Sequence, residues 1–189
     1  MPENVRRFIF KMRGGIWTLL FIAILFMVRK STPERILISI AVIILGQLWR
    51  CWSAASIGLY RGENVKALKL AVIGPYAIMR NPLYFGNFII GLGWSIIAGK
   101  WAVLIFAVSF YVLYVLAIIP HEENFLRSKF GLEYEEYCKR VKMFWPSTLK
   151  FEDVKASVDW GIVKRSEIHT IISTIIGTII IIAVSMCYT

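Results

Sequence analysis

Apolar residues fall along this chain in long unbroken runs rather than at alternating or amphipathic spacing, and such runs read as membrane-spanning helices. Five stand out: Gly14 to Val28, Arg35 to Ile57, Leu83 to Ala98, Trp101 to Pro120 and Thr170 to Tyr188. The first and third fall somewhat short of the ~20 residues a span needs, so each borrows apolar neighbours or sits at a thin point of the bilayer. The first two read as scaffold. Between spans two and three, the segment 58–82 is short and semi-polar with a turn at Gly74-Pro75. Pro82 then falls in the first helical turn of the third span, where its missing N–H costs little. After Pro120 the period changes: Leu126, Phe130, Tyr134, Tyr137 and Val141 recur every three or four positions, one face of an amphipathic helix. Gly131 divides that stretch into two short helices. From Pro146 to Arg165 charged and apolar residues mix without period, as in a linker. The pattern predicts an all-α fold in one domain, 1–189: a polytopic membrane bundle of about five transmembrane helices with a helical cap outside the bilayer.

Composition agrees and adds an orientation. At 58% hydrophobic residues, a soluble domain would expose too much apolar surface. The first run is followed by Arg29-Lys30-Ser31-Thr32-Pro33, which has no small-residue cleavage pattern, so it reads as a span rather than a cleaved leader. Seventeen of the 22 Lys and Arg residues lie between the N-terminus and Arg13 inclusive, in 58–82 or in 121–169. The positive-inside rule places those segments, and the N-terminus, in the cytoplasm. The net charge of +10 flanks the spans, so its counterions are anionic lipid headgroups rather than nucleic acid. Cys51, Cys138 and Cys187 follow no metal-ligand spacing, and His121 and His169 have no third ligand beside them, so no metal site is expected.

Candidate chemistry gathers where spans meet water. GPYAIMRNPLYFGNFIIGLG, from Gly74 to Gly93, carries punctuation that an apolar helix does not need. Gly86, Gly91 and Gly93 either let helices approach closely or leave a trench for a flat ligand. Tyr76 and Tyr84 are either interface anchors or faces that attract a cation. Glu122 and Glu123 follow a span directly; they form either a solvated corner or carboxylates that need a partner near the bilayer edge. Arg50 lies inside the second span, where it either snorkels or binds the anionic group of a lipid substrate.

Arg80-Asn81-Pro82-Leu83-Tyr84-Phe85-Gly86, then Glu122-Glu123, then Phe130-Gly131-x-x-Tyr134-x-x-Tyr137 resemble the integral-membrane methyltransferases, a group that includes isoprenylcysteine carboxyl methyltransferase and the phospholipid N-methyltransferases. The resemblance covers Trp52 to Pro146. It implies an S-adenosylmethionine cofactor enclosed at the cytoplasmic face by 58–82 and 121–169, with a lipophilic or lipid acceptor, a carboxylate or an amine, entering from the membrane. Carried onto this chain, it places cofactor contacts at Leu68, Lys69, Leu70 and Ala71, mainly through backbone, and at Tyr76, Asn81, Pro82, Leu83, Tyr84 and Glu122. For an amine or phenol acceptor, Glu123 is the candidate base. Two departures stand out. Asn81 replaces a histidine of the eukaryotic motif, and the arginine assigned to substrate in the isoprenylcysteine enzymes aligns with Ile118, a loss Arg50 would make good. The alternatives are an NADPH-dependent sterol-type reductase of related architecture and a non-catalytic membrane scaffold. The acceptor's identity and the oligomeric state are not written in the sequence.

Overall fold

A computed structural model of the chain describes residues 1–57, 70–145 and 160–187, the side chain of Trp160 excepted. Its helices are α1 (Glu3–Met27), α2 (Pro33–Ile57), α3 (Pro75–Ile78), α4 (Pro82–Ala98), α5 (Lys100–Phe130), α6 (Leu132–Arg140), α7 (Trp160–Ser166) and α8 (Ile168–Cys187). Among the described residues no strand occurs. Helices α1, α2, α5 and α8 are each long and apolar enough to cross a membrane, and α4 is a shorter apolar helix beside them. The protein is an integral membrane protein with an all-α fold.

Glycines set the closest approach in the bundle. A Cβ on Gly86 would sit 2.9 Å from Arg50 Cβ, and one on Gly93 would sit 2.5 Å from Ile43 and 3.1 Å from the Ser39 carbonyl. From the opposite side, a Cβ on Gly46 would meet the Ile90 nitrogen at 2.9 Å. These residues allow α2 and α4 to pack backbone against backbone, as small residues do in membranes. Gly91 faces another way, against the Phe106 ring of α5. The trench reading of these glycines is therefore corrected: neighbouring helices fill the space that their missing side chains leave. One residue, Gly99, joins α4 to α5, with a φ of 109° that disfavours any side chain.

Three boundaries differ from the sequence pattern. Helix α1 begins at Glu3 rather than Gly14, because its first three turns pack on the far end of α5: Glu3 pairs with His121, and the Phe10 and His121 rings are 5.2 Å apart. The fourth span does not end at Pro120, since α5 runs unbroken to Phe130. A π-helical stretch, Tyr111–Ile118, precedes the proline, with the Ile119 N–H donating to the Tyr114 carbonyl five residues back. Such a widened turn accommodates a proline that an ordinary helix would resist. At ~1.5 Å per residue α5 is roughly 46 Å long, longer than the ~30 Å hydrocarbon core, so its last turns stand outside it. Finally, the linker expected from Pro146 to Arg165 is partly helical: residues 146–159 lie outside the described set, but α7 packs Val163 onto Cys51 and Ala55 of α2.

The core follows α5. Phe106, Phe110, Tyr114 and Ile118 are all buried along it. The Phe110 and Tyr114 rings stack 4.5 Å apart, and Trp17 of α1 and Tyr84 of α4 close on Tyr114 at 5.6 and 5.0 Å.

Candidate functional site

Beyond the tip of α5 the chain reverses at Gly131, whose φ of 52° suits glycine, and α6 returns against the segment 70–81. Tyr134, Tyr137 and Val141 bury themselves against Leu70, Leu126 and Phe130. The Tyr137 hydroxyl donates to the Tyr76 carbonyl at 2.7 Å, and the backbone N–H groups of Arg80 and Asn81 donate to the Lys142 and Met143 carbonyls. Burial pushes both the Tyr134 and Tyr137 phenols well above their ordinary value. The amphipathic period in the sequence has become a clamp on the Gly74–Asn81 turn.

Arg80 is the hub of that clamp. Its guanidinium grips Glu123 through two bonds, at 3.0 and 3.2 Å, and donates to the Val141 carbonyl at 2.8 Å. Asn81 adds a third donor to Glu123 at 3.2 Å. Burial alone would lower the Arg80 pKa, but the bonds and charge of Glu123 outweigh it, and the group sits above its usual value. Glu123 is itself only 8% exposed.

This clamp forms one end of a cavity of about 1040 Å³. Leu70, Ala71 and Tyr76 line it from the turn side, and Asn81, Pro82, Leu83 and Tyr84 line it from the start of α4. Glu122 lines it from α5, close enough to Tyr84 to interact with its hydroxyl. Leu68 and Lys69 lie outside the described residues. Every described position at which the family pattern implies a cofactor contact thus faces one space. Glu123 does not: it lies behind the wall, committed to Arg80 and Asn81.

Between α1, α4 and α8 the cavity is a mostly apolar lane, lined by Trp17, Phe21, Trp94, Ile176 and Ile180, with Thr18, Ser173 and Thr174 among them. The first two spans are therefore more than scaffold, since α1 supplies one wall. Arg50 lines the cavity but neither snorkels nor stands open. Its Nε donates to Glu167 at 2.7 Å, Nη1 donates to Asn87, and Nη2 reaches Glu167 and Thr170 at 3.4 Å each. Glu167, Asn87 and Tyr114 escaped the sequence reading, although a charge inside a span demands polar partners. The available signal was the acid directly before the last apolar run and the lone asparagine inside the third. Tyr114 lies in the π-helical stretch, within electrostatic reach of Arg50, Arg13 and Glu122.

Residues 34–133 match the family model for phospholipid methyltransferases. Over 156 residues, 77% of this chain and 70% of the relative, the chain is 30% identical to a nickel-cobalt-cadmium resistance protein of Alcaligenes xylosoxydans xylosoxydans. It is 32% identical over 108 residues to protein-S-isoprenylcysteine O-methyltransferase B of Arabidopsis thaliana, covering 54% of each. A shorter match, 36% over 76 residues, is to a Delta(14)-sterol reductase of Gallus gallus, covering 38% of this chain and 12% of the reductase. The chain thus spans about an eighth of the sterol reductase and about half of the plant enzyme. No solved structure matches the chain.

Proposed function

The chain belongs to the phospholipid methyltransferase family, and from that premise we propose that it transfers a methyl group from S-adenosylmethionine to a lipophilic acceptor at the cytoplasmic face of the membrane. One observation carries the reading: the described positions of the family's cofactor pattern face a single cavity that continues into an apolar lane. A space of about 1040 Å³ lies just above the usual range for ligand sites, roughly 300–1,000 Å³, enough for a nucleoside cofactor beside an acceptor.

Bound there, S-adenosylmethionine would supply a methyl group on a sulfonium, open to in-line displacement. Tyr76 and Tyr84 offer aromatic faces to a cation, and Glu122 offers acceptor oxygens to hydroxyl or amino hydrogens. The apolar lane excludes water from the reacting pair, which favours a displacement that neutralises charge. Most of the acceleration then comes from alignment, which the Arg80 clamp secures by fixing the turn against α5. Glu123 is a positioning residue in this scheme, because both of its oxygens are already bonded. If the acceptor is an amine or phenol, the carboxylate that faces it is Glu122.

The test is calorimetric titration of the detergent-purified protein with S-adenosylmethionine, with NADPH in parallel because of the sterol reductase match. Saturable binding of the sulfonium, weakened by Glu122→Ala and Tyr84→Ala, is expected. Preference for NADPH would transfer the protein to the reductases. Binding of neither by a folded sample would leave the scaffold reading.

A further inference from the structure

Three arginines line the cavity: Arg13, Arg50 and Arg80. Two of them are neutralised, Arg80 by Glu123 and Arg50 by Glu167. Arg13 differs. Its guanidinium donates to the carbonyl of Phe10 on its own helix, at 2.9 Å, and lies over the Phe10 ring, 4.1 Å from the centroid. Among the described residues no carboxylate pairs with it. It stands within electrostatic reach of Tyr84 and Tyr114, so its charge acts where the cofactor end of the cavity meets the apolar lane.

The lane starts beside it. Arg13, Trp17 and Phe21 fall at i, i+4 and i+8 on α1, one face of the helix, and all three line the cavity. On the α8 wall Ser173, Gly177 and Ile180 fall at i, i+4 and i+7, again one face of a helix. From Arg13 to Phe21 the lane runs roughly 12 Å, at ~1.5 Å per residue. Glu122 reaches the same two tyrosines, but a cation with no ion-pair partner among the described residues, at the head of this lane, matches an anionic head on an apolar tail.

We propose that Arg13 recognises the anionic head, carboxylate or phosphate, of a single-chain amphiphile whose tail lies along α1 and α8, and that this amphiphile is the methyl acceptor. The last clause rests on the methyltransferase reading; the subsite itself does not. Helices α1 and α8 both lie outside the residues that match the family model, so this specificity belongs to the parts of the chain that the family pattern leaves undetermined. Arg50, the arginine that the sequence singled out for this role, is already held by Glu167 and Asn87.

The full-length protein in phosphatidylcholine nanodiscs is titrated with a dibrominated stearate while tryptophan emission is followed, because Trp17 and Trp94 border the lane and bromine quenches on contact. Saturable quenching is expected, displaced by dodecyl phosphate and not by dodecyltrimethylammonium. Arg13→Gln should raise the half-saturating concentration about tenfold or more, the size of a lost charge-assisted hydrogen bond, and Arg13→Lys should recover most of it. Gly14→Phe, at a position where an added Cβ meets nothing within 4 Å, should obstruct the head of the lane and weaken the probe without lowering the melting temperature. Equal half-saturation in wild type and Arg13→Gln, or for the acid and its methyl ester, overturns the subsite. So does a loss of S-adenosylmethionine affinity in Arg13→Gln with quenching unchanged, which would give the arginine to the cofactor's carboxylate. Arg13-dependent quenching in a protein that binds no S-adenosylmethionine would sink the acceptor role and the methyltransferase reading while leaving the subsite.

Discussion

Arg80–Glu123 and Arg50–Glu167 are both buried arginine–carboxylate pairs at the edge of the same cavity, yet they fasten different things. The first joins residues 43 apart, beyond the membrane-spanning part of α5, and backbone carbonyls of Cys138 and Val141 share its load. The second joins residues 117 apart, ties the start of α8 to the second half of α2, and has Asn87 and Thr170 as side-chain support. Glu167 has no exposed side-chain surface, whereas Glu123 has 11%. A pair in a drier setting loses more when one partner goes, because the survivor cannot reach water. The comparison teaches that the Arg80 pair shapes the Tyr76–Tyr84 end of the cavity and that the Arg50 pair ties α8 to α2 beside the lane.

The largest expected effect follows from leaving Arg50 without its partner. Glu167→Ala should cost about 3–5 kcal/mol in detergent unfolding, since an uncompensated buried charge remains. The double change Arg50→Met with Glu167→Leu should recover most of that. A double variant as unstable as the single one would mean that the pair contributes specific geometry rather than mutual neutralisation. Next comes Arg80→Lys, which keeps the charge but loses the two-pronged grip and its carbonyl contacts. It should cost about 1.5–3 kcal/mol and weaken S-adenosylmethionine binding, a loss that the Glu167 variants should show less strongly. Equal losses of cofactor affinity in both would erase the division between the two pairs.

Gly93→Ala should cost about 1–3 kcal/mol by overpacking, because its Cβ would sit 2.5 Å from Ile43. Gly14→Ala, in open space, should cost nothing. The smallest effect is titration of the clamp. The Tyr134 and Tyr137 phenols are held protonated above their unfolded value, so their contribution is complete below about pH 10 and is lost as pH rises further. Melting temperature measured from pH 8 to 11 should fall more steeply in the wild type than in Tyr137→Phe. Parallel curves would show that the buried phenol does not drive the loss.

Much of this was legible from residue order. The five apolar runs, the Pro82 start of α4, the break at Gly131 and the amphipathic stretch beyond it each depend on local pattern. Each corresponds to an element or boundary of the fold. Positions that the family motif marks came together around one cavity: Tyr76 and Asn81 to Tyr84 because they are nearly contiguous and α6 pins their turn, Glu122 because α5 carries it there. What local pattern misjudged were matters of partnership. Gly91 and Gly93 are two residues apart and serve different neighbours, Phe106 on one side and Ile43 on the other, and nothing in their spacing names either. Glu122 and Glu123 are adjacent and chemically alike, yet helical rotation turns one into the cavity and the other into the Arg80 clamp.

The sequence by itself determined that this is a membrane helix bundle with a polar site at one end, because hydrophobic run length and turn chemistry are local properties of the chain. Tertiary structure decided which charges are neutralised and which are left open. Arg13, Arg50 and Arg80 are the same letter; they differ in what the fold sets against each, carboxylates for Arg50 and Arg80, the Phe10 carbonyl and ring for Arg13. An ion pair between residues more than a hundred positions apart exists only once helix packing has brought them within hydrogen-bonding distance.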